Sequence, residues 1–357
     1  MKTIKGTLEI TYASLFEEYV SYKVLKVLII ETFFLRLAIW FSIVLIPFAS
    51  SQEYVPGTPG APWSREEVLT VKSKLFAIFN NGALEALAQL YGSWDGHDAN
   101  WQDMPNAAKM LRLGFHDCVR YKDGSGGCDG CLNWEGVGQK FEEAPGSYVY
   151  ENVGETNNNG LGYTVEILEG IYTDANFPAN LAPVLNVSLK ASGKSRADLW
   201  ALATITAVEH AIQTNNLVCD ETYNDNPNVQ CNAFIGTDRC KIELEESIQF
   251  YTGRADCTQF GDQTYKATKE EVHPNAVGNG KMTADFFQEN FGFTGRETVA
   301  IMGAHTIGRL NYQHSIFRYL WVTQEDASFN NGYYRYTFKK LYLSLSDATG
   351  TSSFLFW

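Results

Sequence analysis

Two short stretches decide how this 357-residue chain folds: Arg112-Leu113-Gly114-Phe115-His116-Asp117-Cys118 and Met302-Gly303-Ala304-His305-Thr306-Ile307-Gly308. Each places one histidine in a predicted helix. The first helix is predicted to start at Pro105, and the second follows a capping box formed by Thr294 and Glu297. A lone histidine on an apolar helix face is usually a satisfied core residue, so neither stretch means much alone. The two together, in this order, are a strong signal.

The rest of the chain is predicted to be helical, with few strands. Ser64 and Glu67 form another capping box. The helix that it opens carries four apolar residues on one face: Val68, Val71, Leu75 and Phe79. Further helices are predicted over 161–172 and 197–212, the second rich in alanine and suited to close packing. There are no internal repeats and no convincing alternating strands, so the predicted fold class is mostly α.

Arg112 and His116 lie one helical turn apart and share a face of their helix. Imidazole can take up a proton near neutral pH, and guanidinium stays protonated in a fixed geometry. Cleavage of a peroxide needs both groups: a base that takes the proton of one oxygen, and a positive charge that stabilises the oxygen that leaves. The pair therefore fits heterolytic O–O cleavage, although the same spacing is more often a solvated or capped pair.

Small residues surround His305 in its stretch. Gly303 and Gly308 would let a flat macrocycle approach the backbone closely. Ile301 and Met302 precede the histidine on the apolar side of the helix. These features favour a ligand role for His305 only in combination with the first stretch.

Taken together, the two stretches resemble the distal and proximal motifs of the plant-type haem peroxidase superfamily. Three further segments, between roughly residues 64 and 335, are similar to parts of that family: Asn158-Asn159-Gly160-Leu161, Arg196-Ala197-Asp198-Leu199-Trp200 and Gly253-Arg254-Ala255-Asp256. The resemblance implies a two-lobed, mostly helical fold with haem b between the distal and proximal helices.

The resemblance also implies roles for individual residues. His305 would be the haem-iron ligand. The catalytic residues would be Arg112, His116 and Asn158, with Asn158 setting the tautomer of His116. Phe115 would be the distal aromatic residue that contacts the cofactor.

Three more residues are implied on the proximal side. Arg309 would be a cation near a haem propionate. Trp321, sixteen residues after His305 (321 − 305), matches the tryptophan that stacks on the proximal imidazole in the cytochrome c and ascorbate peroxidase branch; a core tryptophan is the other interpretation. Asp347 is the nearby candidate for the carboxylate partner of His305, but it lacks the apolar continuation of the family's motif.

Calcium is a further implication, on the distal side. Asp117 and Asp129 resemble ligands of the distal calcium site of the secreted branches, although Cys131 stands where those branches have serine and a hard cation prefers oxygen. A disulfide from Cys118 to Cys128 or Cys131 is the alternative use of this loop. Proximal calcium is not expected, since Asn330 stands where those branches have aspartate.

Residues 1–51 are predicted to be a leader, 52–63 a Pro/Gly linker, and 64–357 the haem peroxidase domain, with a C-terminal end that could be truncated. The apolar run near residues 33–49 predicts a signal peptide and hence secretion. A signal anchor, which would bring the chain to a membrane, and a start assigned from an upstream methionine remain alternatives. The seven cysteines suit an oxidising compartment.

A net charge of −13 argues against nucleic acid as a partner. The sequence thus predicts a secreted haem peroxidase whose partners are hydrogen peroxide and a small organic electron donor. The alternative is a truncated, catalytically impaired relative with a binding or structural role. A hydrolase using His116, Asp117 and Cys118 is rejected, because neighbours on a helix diverge in direction and cannot align as nucleophile and base.

Overall fold

The computed structural model describes residues 53–91, 104–133, 139–141, 148–150, 158, 160–223, 242, 247–258, 266–267, 269, 271–274, 279–309 and 327–334. For 139–141, 148–150, 218–223 and 266 it describes the backbone alone. The predicted leader, Trp321 and Asp347 lie outside the described residues, so the expectations for them stay predictions.

The described part of the chain is mostly helical, as predicted. Its helices are α1 Arg65–Ala77, α2 Ala83–Tyr91, α3 Ala107–Cys118, α4 Gly162–Thr173, α5 Arg196–Tyr223, α6 Gly280–Phe291 and α7 Gly295–Met302. A π-type turn, Ile78–Gly82, joins α1 to α2, and a 3-10 turn, Gly303–Thr306, follows α7. Within the described ranges, no helix has both the length and the apolar character needed to span a bilayer.

The helix starts follow their capping residues. Both predicted capping boxes are present, at Ser64 and at Thr294. Helix α3 begins at Ala107 rather than at Pro105, because the Asn106 side chain accepts the Lys109 backbone N–H at 2.9 Å and so caps the helix there.

The strands in the described part are short. They are β1 Leu132–Asn133, β2 Gln139–Phe141, β3 Tyr148–Tyr150 and β4 Lys266–Ala267. β1 pairs with β4 in parallel, with Leu132 opposite Lys266, and β2 pairs with β3 antiparallel, with Lys140 opposite Val149. Segments of two or three residues are too short to show alternation, which is why the sequence did not reveal them.

Helix α5 forms the centre of the core, and α3 packs against it more extensively than any other helix does. Trp200, Ala203 and Ala207 of α5 are fully buried, which confirms the predicted close-packing helix. A methyl group placed on Gly114 would lie 1.9 Å from Thr204 Oγ1 and 2.8 Å from Thr204 Cβ. The two helix backbones can approach this closely only because residue 114 is glycine.

Two Arg-x-Asp segments cross at the start of α5. Arg196 Nη1 lies 3.3 Å from Asp256 Oδ2, and Arg254 Nη1 lies 2.9 Å from Asp198 Oδ1. Asp256 also accepts the first two backbone N–H groups of α5. Buried charges persist when they are paired and hydrogen bonded. These contacts therefore fasten the loop around residues 253–256 to the N-terminus of α5.

Residues 54–61, within the predicted linker, follow the surface of this loop. The backbone N–H groups of Gly57 and Gly60 donate to the carbonyls of Asp256 and Arg254, both at 3.0 Å. The Tyr54 side chain is 7% exposed. The proline and glycine residues of this segment allow the turns by which it follows the loop around residues 253–256.

Candidate active site

Helix α3 carries Arg112 and His116 one turn apart, as predicted. The helix ends at Cys118, where Val119 adopts extended backbone. Phe115 lies edge-on to His116, with ring centroids 5.9 Å apart, and also contacts Phe287 of α6 at 6.0 Å. Phe115 is thus an aromatic wall beside the distal histidine, and its contact with a cofactor stays a prediction.

Asn158 bonds His116 as the sequence predicted. The Nδ1 atom of His116 lies 2.8 Å from Asn158 Oδ1. An amide oxygen only accepts, so His116 Nδ1 must carry the proton. The other ring nitrogen, Nε2, is then left unprotonated and can accept a proton.

The orientation of the Asn158 amide follows from its other partners. Its Nδ2 donates to the carbonyl of Asn133 at 2.8 Å and to the Glu271 carboxylate at 3.0 and 3.2 Å. The reversed amide would turn its oxygen toward two acceptors. The network therefore fixes the tautomer of His116 through the amide of Asn158.

The electrostatic surroundings keep His116 neutral. Burial places the pKa of His116 well below its ordinary value, and electrostatic interactions with Arg112 and with His273 lower it further. The hydrogen bond to Asn158 opposes this shift. A neutral imidazole can act as a base over neutral and mildly acidic pH.

Sequence reasoning missed Glu271 and His273, although both belong to this site. Glu271 accepts the Asn133 backbone N–H at 2.8 Å, and its Oε2 lies 2.8 Å from His273 Nε2. The rings of His273 and His116 are 4.9 Å apart at their centroids, tilted by 56°. Asn158 and Glu271 are separated by 113 positions. No local pattern in the sequence could have joined them.

The second histidine, His305, lies in the 3-10 turn Gly303–Thr306, just after α7, rather than in the α-helix itself. Its Nδ1 donates to the carbonyl of Met302 at 3.1 Å. Burial lowers the pKa of His305 to about 4, and the Met302 bond opposes the shift. The imidazole is therefore neutral near pH 7, which is the form in which histidine binds a metal.

Tyr333 stacks on His305, with ring centroids 5.2 Å apart and an angle of 28° between the planes. Gly303 and Gly308 each lie close to a protein side chain. A methyl group on Gly303 would lie 3.2 Å from the Tyr334 hydroxyl, and one on Gly308, where φ is +90°, would lie 2.9 Å from Ala108 Cβ. Both glycines thus admit a protein neighbour, and the expectation that they also make room for a macrocycle stays a prediction.

Both histidine segments are held against α5. Ile307 packs with Ala211 and Ile212 of α5, and Ala108 of α3 joins the same cluster. Thr306 Oγ1 donates to Asn330 Oδ1 at 2.9 Å, which ties the turn to residues 327–334. Arg309 follows the turn and is exposed. Its place near a propionate stays a prediction.

The loop after α3 is closed by disulfides. Cys118 pairs with Cys128 and Cys131 pairs with Cys257, which decides between the two partners considered for Cys118. Asp117 Oδ1 accepts the N–H of Gly130 at 2.7 Å.

Calcium at this loop stays a prediction. Burial first, and then the nearby charge of Asp129, raise the pKa of Asp117 well above its ordinary value. Burial raises the pKa of Asp129 to about 7. A cation between the two carboxylates would relieve both shifts. Within the described ranges, however, no group of three or more His, Cys, Asp or Glu side chains is arranged to hold a metal ion.

Comparison with known proteins identifies the family of this chain. A family model described as Peroxidase matches residues 95–352, so the chain belongs to the peroxidase family. It is also similar to a probable L-ascorbate peroxidase 4, peroxisomal, of Oryza sativa subsp. japonica, with 23% identity over 227 residues. That alignment covers 63% of this chain and 53% of the relative, so the chain spans about half the length of the curated relative that it matches. Family membership confirms the resemblance that the two histidine stretches carry.

Proposed function

We propose that this chain is a haem peroxidase that reduces hydrogen peroxide and oxidises an organic donor one electron at a time. The observation that carries the proposal is the 2.8 Å bond between His116 Nδ1 and Asn158 Oδ1. It leaves Nε2 of a neutral imidazole free, one helical turn from the fixed charge of Arg112. A base and a cation one helical turn apart suit a peroxide, which must lose a proton from one oxygen while the other oxygen leaves.

The proximal residues fit a haem group. His305 Nδ1 donates to the Met302 carbonyl, and Nε2 would be the atom that binds the iron. A carbonyl partner on the other nitrogen is a common way to fix the tautomer of a ligating histidine. Haem, when bound, would supply the electrons that the O–O bond takes up on cleavage.

The distal residues would handle the protons and the charge. His116 Nε2 would take the proton of the incoming peroxide oxygen and return it to the oxygen that leaves. Arg112 would stabilise the negative charge that develops on the leaving oxygen. Asn158 would keep His116 in the tautomer that can do this. Phe115 would limit the access of water to the reacting oxygens.

The finer parts of the proposal concern the donor and the location. A small organic molecule is the proposed donor. Secretion is supported by the apolar leader and by the two disulfides, since disulfides persist in oxidising compartments. A signal anchor instead of a cleaved leader would leave the same domain attached to a membrane.

The test is peroxide-dependent oxidation of a small phenol by the haem-loaded protein, compared with His305→Ala. The wild type should turn over the phenol, and the variant should lose most of its haem because its ligand is gone. The matched control is His210→Ala, whose imidazole lies on α5 and bonds Asn80 at 3.0 Å. Equal haem content in wild type and His305→Ala would overturn the assignment of His305. An inactive, haem-loaded wild type would overturn the proposed activity.

A further inference from the structure

His273 lies in the distal site although none of the sequence motifs contains it. Its ring centroid is 4.9 Å from that of His116, and its Nε2 is 2.8 Å from Glu271 Oε2. The side chain of His273 is 11% exposed, and that of Glu271 is 4% exposed. The site therefore holds two imidazoles, one bonded to an amide and the other to a carboxylate.

The backbone around His273 is fixed to the end of the distal helix. Glu271 forms an antiparallel bridge with Tyr121, and the Val272 N–H donates to the Arg120 carbonyl at 2.8 Å. Arg120 lies two residues after the last residue of α3. The position of His273 beside His116 thus follows from backbone pairing and does not depend on its side-chain rotamer alone.

Glu271 connects the two histidines. Its Oε1 accepts from the Asn133 backbone N–H, and its Oε2 is shared by Asn158 Nδ2 at 3.0 Å and His273 Nε2 at 2.8 Å. A continuous chain of hydrogen bonds therefore runs from His273 through Glu271 and Asn158 to His116. The ring contact between the two histidines closes this chain into a loop.

We propose that His273 is a positioning residue of the distal site. It holds Oε2 of Glu271 in place, the carboxylate holds the Asn158 amide, and the amide holds the proton of His116 on Nδ1. The terminal torsion of a glutamate has a broad, roughly two-fold profile. Without the donor from His273, Oε2 of Glu271 loses one of its two partners and the carboxylate can turn about its terminal torsion. The Asn158 amide is then held mainly by the Asn133 carbonyl, at 2.8 Å, and its orientation is less firmly fixed.

The charged groups around the two rings are consistent with this role. Arg112 and His273 both lower the pKa of His116. In the loop after α3, burial raises the pKa of Asp129 and of Tyr121, and the nearby charge of Glu271 adds to both shifts. The imidazole of His273 is thus a donor to a carboxylate that also has acidic groups nearby.

The test compares His273→Leu, which removes the donor, with His273→Gln, whose amide can still donate to Glu271. His210→Gln is the control for replacing a histidine outside the site. The readout is the tautomer of His116 in 15N-histidine-labelled protein, measured by two-bond 1H–15N NMR. Spectra are recorded on the diamagnetic ferrous carbonyl form, or on the protein as isolated if it carries no haem. The His116 signals are assigned by their loss in His116→Gln.

Wild type, His273→Gln and His210→Gln should show His116 with its proton on Nδ1, and His273→Leu should show a mixture of tautomers. The rate of reaction with peroxide should fall about 10- to 100-fold in His273→Leu and recover in His273→Gln. An unchanged tautomer in His273→Leu would overturn the proposal, as would an equal loss in the Leu and Gln variants. The consequence for the rate rests on the proposed function, but the tautomer does not. A protein that fails to react with peroxide would thus refute the function and leave the NMR test to decide the role of His273.

Discussion

Replacing Gly114 by alanine should disturb the active site through the packing of two helices. Gly114 lies between Arg112 and His116 on α3 and faces Thr204 of α5. The added methyl group would lie 1.9 Å from Thr204 Oγ1 and 2.8 Å from Thr204 Cβ. Rotation of the threonine side chain can move Oγ1, but it cannot move Cβ. The helices must therefore separate, and the two distal side chains move with α3.

Two opposing effects set the size of the change in stability. Overpacking of a well-packed core typically costs about 1–3 kcal/mol. Alanine is a better helix former than glycine by about 1 kcal/mol, which offsets part of that cost. We therefore expect Gly114→Ala to lower the free energy of unfolding by about 0–2 kcal/mol. The rate of reaction with peroxide should fall more clearly, by about 10²-fold if the distal pair moves by about 1 Å.

A double-mutant cycle with Thr204→Gly isolates the clash. The double variant has room for the new methyl group, so its free energy of unfolding should exceed the additive expectation by about 1–3 kcal/mol, measured by urea denaturation. The matched control is Gly280→Ala at the start of α6, where a methyl group meets no atom within 4 Å. Additive effects within about 0.5 kcal/mol, or a wild-type peroxide rate in Gly114→Ala, would refute the reasoning.

Three further predictions test other parts of the structure. His116→Ala should keep haem but slow the reaction with peroxide by about 10²–10⁴, as expected for the loss of a general base; a wild-type rate in stopped-flow would show that another group is the base. Burial raises the pKa of Glu166 from 4.5 to about 8. The folded state therefore binds this proton more tightly, and the free energy of unfolding should fall as pH rises through that interval. Glu166→Gln should remove that fall in urea melts at pH 5 and pH 8, and an identical pH dependence in both proteins would contradict it. Replacing Cys131 and Cys257 together by serine opens a bridge across 126 positions and should cost about 2–5 kcal/mol; calorimetry showing an unchanged melting temperature would argue against the bridge.

Local motifs made much of the distal site predictable from the sequence. The spacing of Arg112 and His116 fixes their common face on any α-helix. The contact with Asn158 came from a resemblance in a short segment. The capping boxes at Ser64 and Thr294 were predictable because each depends on residues three positions apart.

The rest of the site depends on tertiary contacts that no local pattern encodes. Glu271 and His273 reach the site through a backbone bridge to Tyr121, and the sequence offers no periodicity that marks it. The choice of Cys128 as partner of Cys118 likewise depends on Cys131 being taken by Cys257, far along the chain. The contacts of the two glycines that flank His305, with Tyr334 and Ala108, likewise come from other segments of the chain.

The measurement that tests the central claim most directly is the optical spectrum of the purified, haem-loaded protein before and after one equivalent of hydrogen peroxide. If His305 binds haem iron and His116 acts as the base on the opposite face, an intense Soret band should be present. It should change rapidly on mixing and return when a phenol is added. A protein that takes up no haem, or a Soret band that peroxide leaves unchanged, would contradict the account.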